Sequence, residues 1–221
     1  MKYKVVEKFV SINGEGRLSG QLAVFIRFAG CNLNCSYCDT KWANEADAVH
    51  ELLSADELYE YIKYTGIKNV TLTGGEPLQQ DTIIELIQKL SKDRCLSVEI
   101  ETNGSISLKN FMSLGNPPSF TMDYKLPTSN MEKKMKLENL QYLTRKDTVK
   151  FVVGSIIDLV KTKFIIYKFN LLENTNVYIS PVFGQIELEE IIEFIKKNRL
   201  NGVVFQVQLH KIIWNRDKRG V

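Results

Sequence analysis

Apolar residues recur along the chain in two alternating rhythms. Stretches that are apolar on both faces or alternate with period two predict strands: Tyr3 to Ser11, QLAVFIRFAG, NVTLTG, LSVEIETNG, FTMDYK, TVKFVV, VYISPV and VVFQVQL. Stretches with apolar positions three and four residues apart predict helices between them. The clearest is SADELYEYIKYTG, which opens on a capping box, Ser54 with Glu57 three residues on, and closes on Gly66. In DTIIELIQKL, Ile83, Ile84, Ile87 and Leu90 keep helical spacing. Further helical material is expected at about Glu132 to Leu143, Ile156 to Tyr167 and Leu188 to Lys197. Strands alternating with helices imply an α/β fold with a parallel sheet. The 221 residues are few for an eight-unit barrel of typically ~250, so a partial, open β/α barrel is expected, as a single domain over residues 1–221.

Several polar residues interrupt these rhythms. In QLAVFIRFAG both faces are apolar except at Arg27, and a buried guanidinium needs either a protein carboxylate or an anionic ligand beside it. Glu99 and Glu101 alternate on one strand face and point toward the polar end of a barrel lumen, with salt bridges to Lys125 or Lys150 as the plain structural alternative. In SINGEGRLSG, Gly14, Gly16 and Gly20 suit a loop of unusual dihedrals or close approach to a ligand.

The working loops of parallel barrel architectures follow the carboxyl ends of strands. Those ends carry CNLNCSYCDT, TGGEP, ETNGS, DYKLPTS and SPVFG, where the unusual residues gather. Cys31, Cys35 and Cys38, at spacings of four and three, put three soft thiolates on one loop, which suits an iron-sulfur cluster or zinc rather than a hard cation. His50, His210 or Cys95 would have to complete a zinc knuckle, and three packed structural cysteines are the other plain alternative. Cys95 precedes its strand, and six strand residues span ~20 Å, so it is expected at the opposite rim as a small buried hydrophobe. The doubled glycine of TGGEP removes two side chains where backbone groups could touch a ligand, although a tight turn into a helix explains it as well.

Composition narrows the class. With 29 basic and 26 acidic residues interspersed, the net charge of +3 gives little drive toward nucleic acid, and KNRL and NRDKRG read as solvated surface. Four cysteines, three in one loop, make no disulfide framework. Without a leader at MKYKVVEKF or a long uncharged apolar run, a soluble cytoplasmic protein with no membrane partner is expected.

CNLNCSYC, TGGEP and the partial alternating β/α pattern together resemble the radical S-adenosylmethionine superfamily. SINGEG, Arg27, CDTKW and QLHKIIW narrow the resemblance to its 7-carboxy-7-deazaguanine synthase family. The resemblance covers nearly the whole chain. It implies a radical SAM partial barrel with reduced helix content, in which the N-terminal strand and glycine-rich loop (residues 1–20) close the substrate site. It implies a 4Fe-4S cluster on Cys31, Cys35 and Cys38 with the fourth iron open to S-adenosyl-L-methionine, whose cleavage yields a 5′-deoxyadenosyl radical. Hydrogen would then be taken from C6 of 6-carboxy-5,6,7,8-tetrahydropterin, and ring contraction with loss of ammonia would give 7-carboxy-7-deazaguanine, in 7-deazapurine (queuosine) biosynthesis.

By the same resemblance S-adenosylmethionine is expected on Tyr37, Cys38, Asp39, Gly75, Asp123, Tyr124 and Lys125. The substrate is expected on the backbone of Ile12, Asn13 and Gly14 and on Glu15, Arg27 and Thr73. Thr40 matches the family's Mg2+ position, where a hydroxyl completes an octahedral ion. A flavodoxin- or ferredoxin-type reductant and a homodimer are implied too. The chain departs from the family's pattern at Asn13, where glutamine is commoner, and at DYKLPTS, where Ser-Pro-Lys is usual. Gln208 and His210 are candidate site residues, with a polar strand end as the simpler explanation. A radical SAM activase that makes a glycyl radical on a partner protein shares the cysteine spacing and is the alternative.

Overall fold

The computed structural model describes residues 1–215 and 218–221. In chain order the elements are β1 (Lys2–Ile12), β2 (Leu22–Phe28), β3 (Glu51–Ser54), α1 (Ala55–Thr65), β4 (Asn69–Gly74), α2 (Ile83–Lys92), β5 (Ser97–Thr102), α3 (Lys109–Met112) and β6 (Ser119–Tyr124). They continue with α4 (Asn139–Tyr142), β7 (Thr148–Val153), α5 (Ile156–Lys168), α6 (Leu171–Asn174), β8 (Asn176–Pro181), α7 (Leu188–Lys197), β9 (Val203–Phe205) and α8 (Leu209–Ile213). Among the described residues the strands form one open nine-stranded sheet in the order β3, β1, β2, β4, β5, β6, β7, β8, β9. From β2 to β9 every neighbouring pair is parallel, as the alternating pattern implies.

The longer helices, α1, α2, α5 and α7, pack on this sheet through their buried apolar residues. α1 has the full capping box between Ser54 and Glu57, and Gly66 ends it in the left-handed conformation. Its Leu58 and Ile62 meet Leu86, Ile87 and Leu90 of α2 in a core shared with Val70, Leu72 and Ile100 of the sheet. Phe120 and Phe151 extend that core along the parallel strands.

Four expectations need correction. β1 is antiparallel to both β2 and β3, and β3 is a short edge strand too brief for its pattern to register. Residues 132–143 do not form one helix but a single 3-10 turn, Glu132–Lys134, and the one-turn α4. There Lys136 N–H is donated to Gly104, and the Asn139 side chain bonds Leu108, Gly104 and Ile106, so the segment's polar groups serve the loop after β5. VVFQVQL is strand only to Phe205, because Gln206 exchanges hydrogen bonds with Gly16 and Leu209 N–H is donated to Gly14, folding this segment over the glycine-rich loop. Cys95 is exposed rather than buried, in the turn before β5, where its N–H bonds Asp93. Of the NRDKRG segment, Arg216 and Asp217 lie outside the described residues, and Arg219 stacks 4.0 Å over the Trp42 ring.

Candidate active site

A cavity of about 710 Å³ opens at the carboxyl ends of the parallel strands. Its wall takes Arg27 from β2, Thr73 from β4, Glu101 from β5, Asp123 from β6 and Lys150 from β7, together with all three cysteines of the loop after β2. Parallel register makes this possible: Arg27 lies beside Thr73, and Asp123 beside Lys150, so each pair projects to the same side.

Both flanks hold the cysteine loop in place. Gly30 N–H is donated to Ala43 at 3.0 Å, and Ser36 bonds the backbone of Ser129 and Thr128. The Cys31 sulfur accepts N–H groups from Leu33 at 3.4 Å and from the Asn103 side chain at 3.5 Å, contacts that would stabilise negative charge on a cluster ligand. Burial pushes the Cys31 thiol up, and pushes Cys35 to about 11 against the pull of Lys125. As free thiols these two hold their protons at neutral pH, so metal assembly must displace them.

TGGEP is shaped by that loop. A side chain on Gly75 would collide with the Gly30 carbonyl and Asn44, and Gly74 has φ 143° hard against Phe28. Close packing of backbone on the cysteine loop, rather than a turn alone, thus requires both glycines. Glu76 follows, fully buried, accepting from Leu78 N–H, Asn103 N–H and the Thr102 hydroxyl. Burial outweighs these donors and raises its carboxyl to about 7.

Elsewhere on the cavity wall the charges interlock. Lys150 Nζ lies 2.8 Å from Glu15 and 3.7 Å from Asp123, whose same oxygen is 3.0 Å from Lys125. Neither lysine serves Glu99, which instead accepts from the Thr121 hydroxyl at 2.5 Å. Burial, and behind it the Glu101 charge, raises Glu99 from 4.5 to about 7. The folded chain therefore keeps a proton that the unfolded chain releases above pH 4.5, and the stability this group contributes is full below that pH and lost as pH rises through about 7. Glu99→Gln should accordingly be more stable than wild type at pH 8 by up to roughly 3 kcal/mol, with almost no advantage near pH 4.5. Denaturant unfolding at the two pH values checks it, and an equal difference at both would refute the assignment.

Most of the residues expected at the site line the cavity: Ile12, Gly14, Glu15, Arg27, Tyr37, Asp39, Thr40, Thr73, Gly75, Asp123 and Lys125 join the cysteines. Asn13 does not. Its side chain accepts from Thr71 at 3.0 Å, and its backbone closes the glycine-rich loop against Gln21 and Gly20. Tyr124 also turns away, into the core against Phe151. Arg27 meets a protein carboxylate after all: its Nε donates to Glu7 at 3.0 Å, the residue opposite it on β1. Asp39 pairs with Lys211 at 3.3 Å, and Thr40 Oγ1 lies 3.6 Å from the Cys38 sulfur.

Gln208 and His210, weighed in the sequence as site residues against a polar strand end, both belong to the wall: Gln208 donates to Glu15 at 3.0 Å, and His210 presses so closely on Gly14 that a Cβ there would strike its ring. Lys211, Arg219 and Val221 line the cavity too. For Asn103 the one available signal was its place at a strand's carboxyl end.

The donor set fits the implied cofactors. Three thiols face one cavity, and around it Glu15 Oε1, Asp123 Oδ1, Tyr37 Oη and Asn44 Oδ1 are buried without a partner among the described residues, an array that a polar ligand would satisfy. Two of the zinc knuckle's three possible partners fall away, His50 being exposed against the Ala48 carbonyl and Cys95 lying at the far rim, while His210 lines the same cavity as the cysteines. No three His, Cys, Asp or Glu side chains among the described residues converge on a point fit for a single ion.

Residues 25–136 match the Radical SAM superfamily. The chain is 65% identical, over the full length of both proteins, to the 7-carboxy-7-deazaguanine synthase of Clostridium acetobutylicum. It is 35% identical to that of Leptospira interrogans, covering 100% of this chain and 99% of the other. The crystal structure of QueE from Escherichia coli superposes with a TM-score of 0.74 over 94% of each chain at 23% identity, and so shares the fold. An open parallel sheet bearing a three-cysteine loop after its first parallel strand defines a radical S-adenosylmethionine enzyme, a class that implies a 4Fe-4S cluster and S-adenosylmethionine. Within that class the chain belongs to the 7-carboxy-7-deazaguanine synthase family.

Proposed function

We propose that this enzyme converts 6-carboxy-5,6,7,8-tetrahydropterin to 7-carboxy-7-deazaguanine with release of ammonia, as the ring-contracting lyase of 7-deazapurine (queuosine) biosynthesis. The observation that carries the reading is one cavity lined by the three cysteines together with Arg27, Glu15 and Thr73. When bound, the reduced cluster and S-adenosylmethionine supply hydrogen-abstracting radical chemistry.

The chain's own residues bind, orient and exclude water. Cys31, Cys35 and Cys38 would hold the cluster, with Asn103 and Leu33 steadying Cys31. Tyr37, Asp39, Gly75 and the Asp123 to Lys125 segment would hold S-adenosylmethionine. There the unpartnered Asp123 Oδ1 suits an ammonium donor, while Tyr124 is left only its backbone to offer. Arg27 would meet the substrate carboxylate through the guanidinium nitrogens that Glu7 leaves free to fork onto it, with Thr73 beside it and the backbone of Ile12 and Gly14 closing over. Anaerobic reconstitution with iron and sulfide, followed by product analysis on the carboxylated pterin, tests the reading. Protein that ignores this pterin yet installs a glycyl radical on a co-expressed partner would establish the activase alternative instead.

Mg2+ at Thr40 belongs to the same proposal. With no acidic cluster among the described residues, the ion would take its remaining ligands from water and substrate oxygens. Thr40→Ala should lower the magnesium stimulation of turnover several-fold while leaving uncoupled cleavage of S-adenosylmethionine largely intact. An unchanged magnesium titration would remove Thr40 from the site.

A flavodoxin- or ferredoxin-type reductant, a single domain whose first 20 residues close the substrate site, and a cytoplasmic setting complete the proposal. Among the described residues no helix is long and apolar enough to cross a membrane. For the homodimer the supporting observation is an exposed apolar stripe on α5, Ile157, Val160, Phe164 and Tyr167, and sedimentation tests it.

A further inference from the structure

Two carboxylates of the cavity wall share one lysine. Lys150 stands on β7 beside Asp123 of β6, and its Nζ reaches Glu15 Oε2 at 2.8 Å and Asp123 Oδ2 at 3.7 Å. Lys150 and Glu15 keep only 10% and 9% of their side-chain surface exposed. Each carboxylate spends one oxygen on this lysine, and its other oxygen is buried without a partner among the described residues. A carboxylate so placed without a cation would take up a proton, turning a pure acceptor into a donor.

We propose that Lys150 is the positioning residue of the substrate end: it holds the Glu15 carboxylate ionised and in place, so that Oε1 meets the N–H donors of the pterin ring as an acceptor only. The inference rests on the reading of Glu15 as a substrate contact. The surroundings of Glu15 favour Lys150 over any other group. Gln208 donates to the same oxygen as Lys150 but carries no charge. His210, on α8, would add attraction, but burial lowers its affinity for a proton. On the sheet side Asp123 of β6 and Glu101 of β5 are further negative charges acting on Lys150, and Arg17 acts on Glu99. Lys125 is bound to Asp123 rather than to Glu15. In agreement, Glu15 lies at about 2 despite burial, the Lys150 charge being the chief opposing cause.

The test uses cluster-loaded enzyme with S-adenosylmethionine, kept oxidised so that nothing turns over, and the dissociation constant of 6-carboxypterin from pH 6 to 8.5. Dividing each variant's constant by the wild-type constant cancels the ligand's own titration. For Lys150→Met the ratio should be at least tenfold larger at pH 6 than at pH 8.5, because Glu15 now protonates in this range. Lys150→Arg and Asp123→Asn should give ratios independent of pH, since each leaves Glu15 a cation. An infrared carboxylic-acid band should appear in ligand-free Lys150→Met at pH 6 and vanish in the double variant with Glu15→Gln. A pH-independent ratio for Lys150→Met, or no such band, overturns the inference. Glu15→Gln alone should weaken binding by a factor that does not change with pH. A factor that does change shows Glu15 titrating with Lys150 in place, and overturns the inference even if Lys150→Met fails to fold. Wild-type enzyme that does not bind the pterin would sink the substrate reading of this site, and the infrared band would then still decide the hold of Lys150 on Glu15.

Discussion

Cys31→Ala, Cys35→Ala and Cys38→Ala should each abolish the visible absorbance of the reconstituted cluster, and Cys95→Ala should retain it in full. The three sulfurs face one cavity from a loop pinned at Gly30 and Ser36, whereas Cys95 is exposed in a turn at the amino end of β5. A cube held at three corners that loses one keeps two ligands and an unsupported cluster. Iron and sulfide analysis beside the spectrum measures the outcome, with circular dichroism to confirm the fold. Loss of the cluster in Cys95→Ala with the fold intact would mean a closed four-cysteine site with no corner open to S-adenosylmethionine. Asn103→Ala offers a graded companion: it keeps the ligands but removes an N–H donor from the Cys31 sulfur. The cluster should assemble and its potential should fall, since a donor to sulfur favours the more reduced, more negative state.

Arg27→Ala should lose most of the enzyme's preference for a carboxylated pterin. Removing one member of a hydrogen-bonded charge pair costs about 2 to 5 kcal/mol. Because Glu7 already neutralises part of the guanidinium charge through Nε, the loss should fall at the lower end, about 2 to 3 kcal/mol, or roughly 30- to 150-fold in affinity. Glu7 complicates the single variant, for it is left half-buried without its partner. The double variant Arg27→Ala with Glu7→Gln separates the two effects: stability should recover while carboxylate discrimination stays lost. Should wild type bind the pterin and its decarboxylated analogue equally well, Arg27 would be no more than a cross-strand ion pair between β1 and β2.

That ion pair shows where reading the chain alone stops. The strand pattern around Arg27 demanded an anion, but periodicity cannot say which of two distant segments lies alongside. The antiparallel register of β1, with an irregularity between Val5 and Glu7, puts Glu7 opposite Arg27. Lys150 is similar: one polar residue in an apolar strand, whose partners Glu15 and Asp123 come from separate parts of the chain.

What the sequence by itself determined is whatever depends on local spacing. The three-cysteine loop, the capping box of α1, the apolar stripe of α2 and the order of alternating strands and helices all rest on residues within a few positions of each other, and each appears in the fold as expected. Tertiary structure decided everything that depends on which backbone and side-chain groups remain unsatisfied after the strands have paired. It turned Asn13 toward Thr71, and it converted the supposed strand end at Gln208 and His210 into a wall over the glycine-rich loop. It broke the expected helix at residues 132–143 by drawing Asn139 into a loop that needed its three hydrogen bonds. Buried polar groups must find partners wherever the fold brings them, and that requirement acts across the whole chain, beyond the reach of any local pattern.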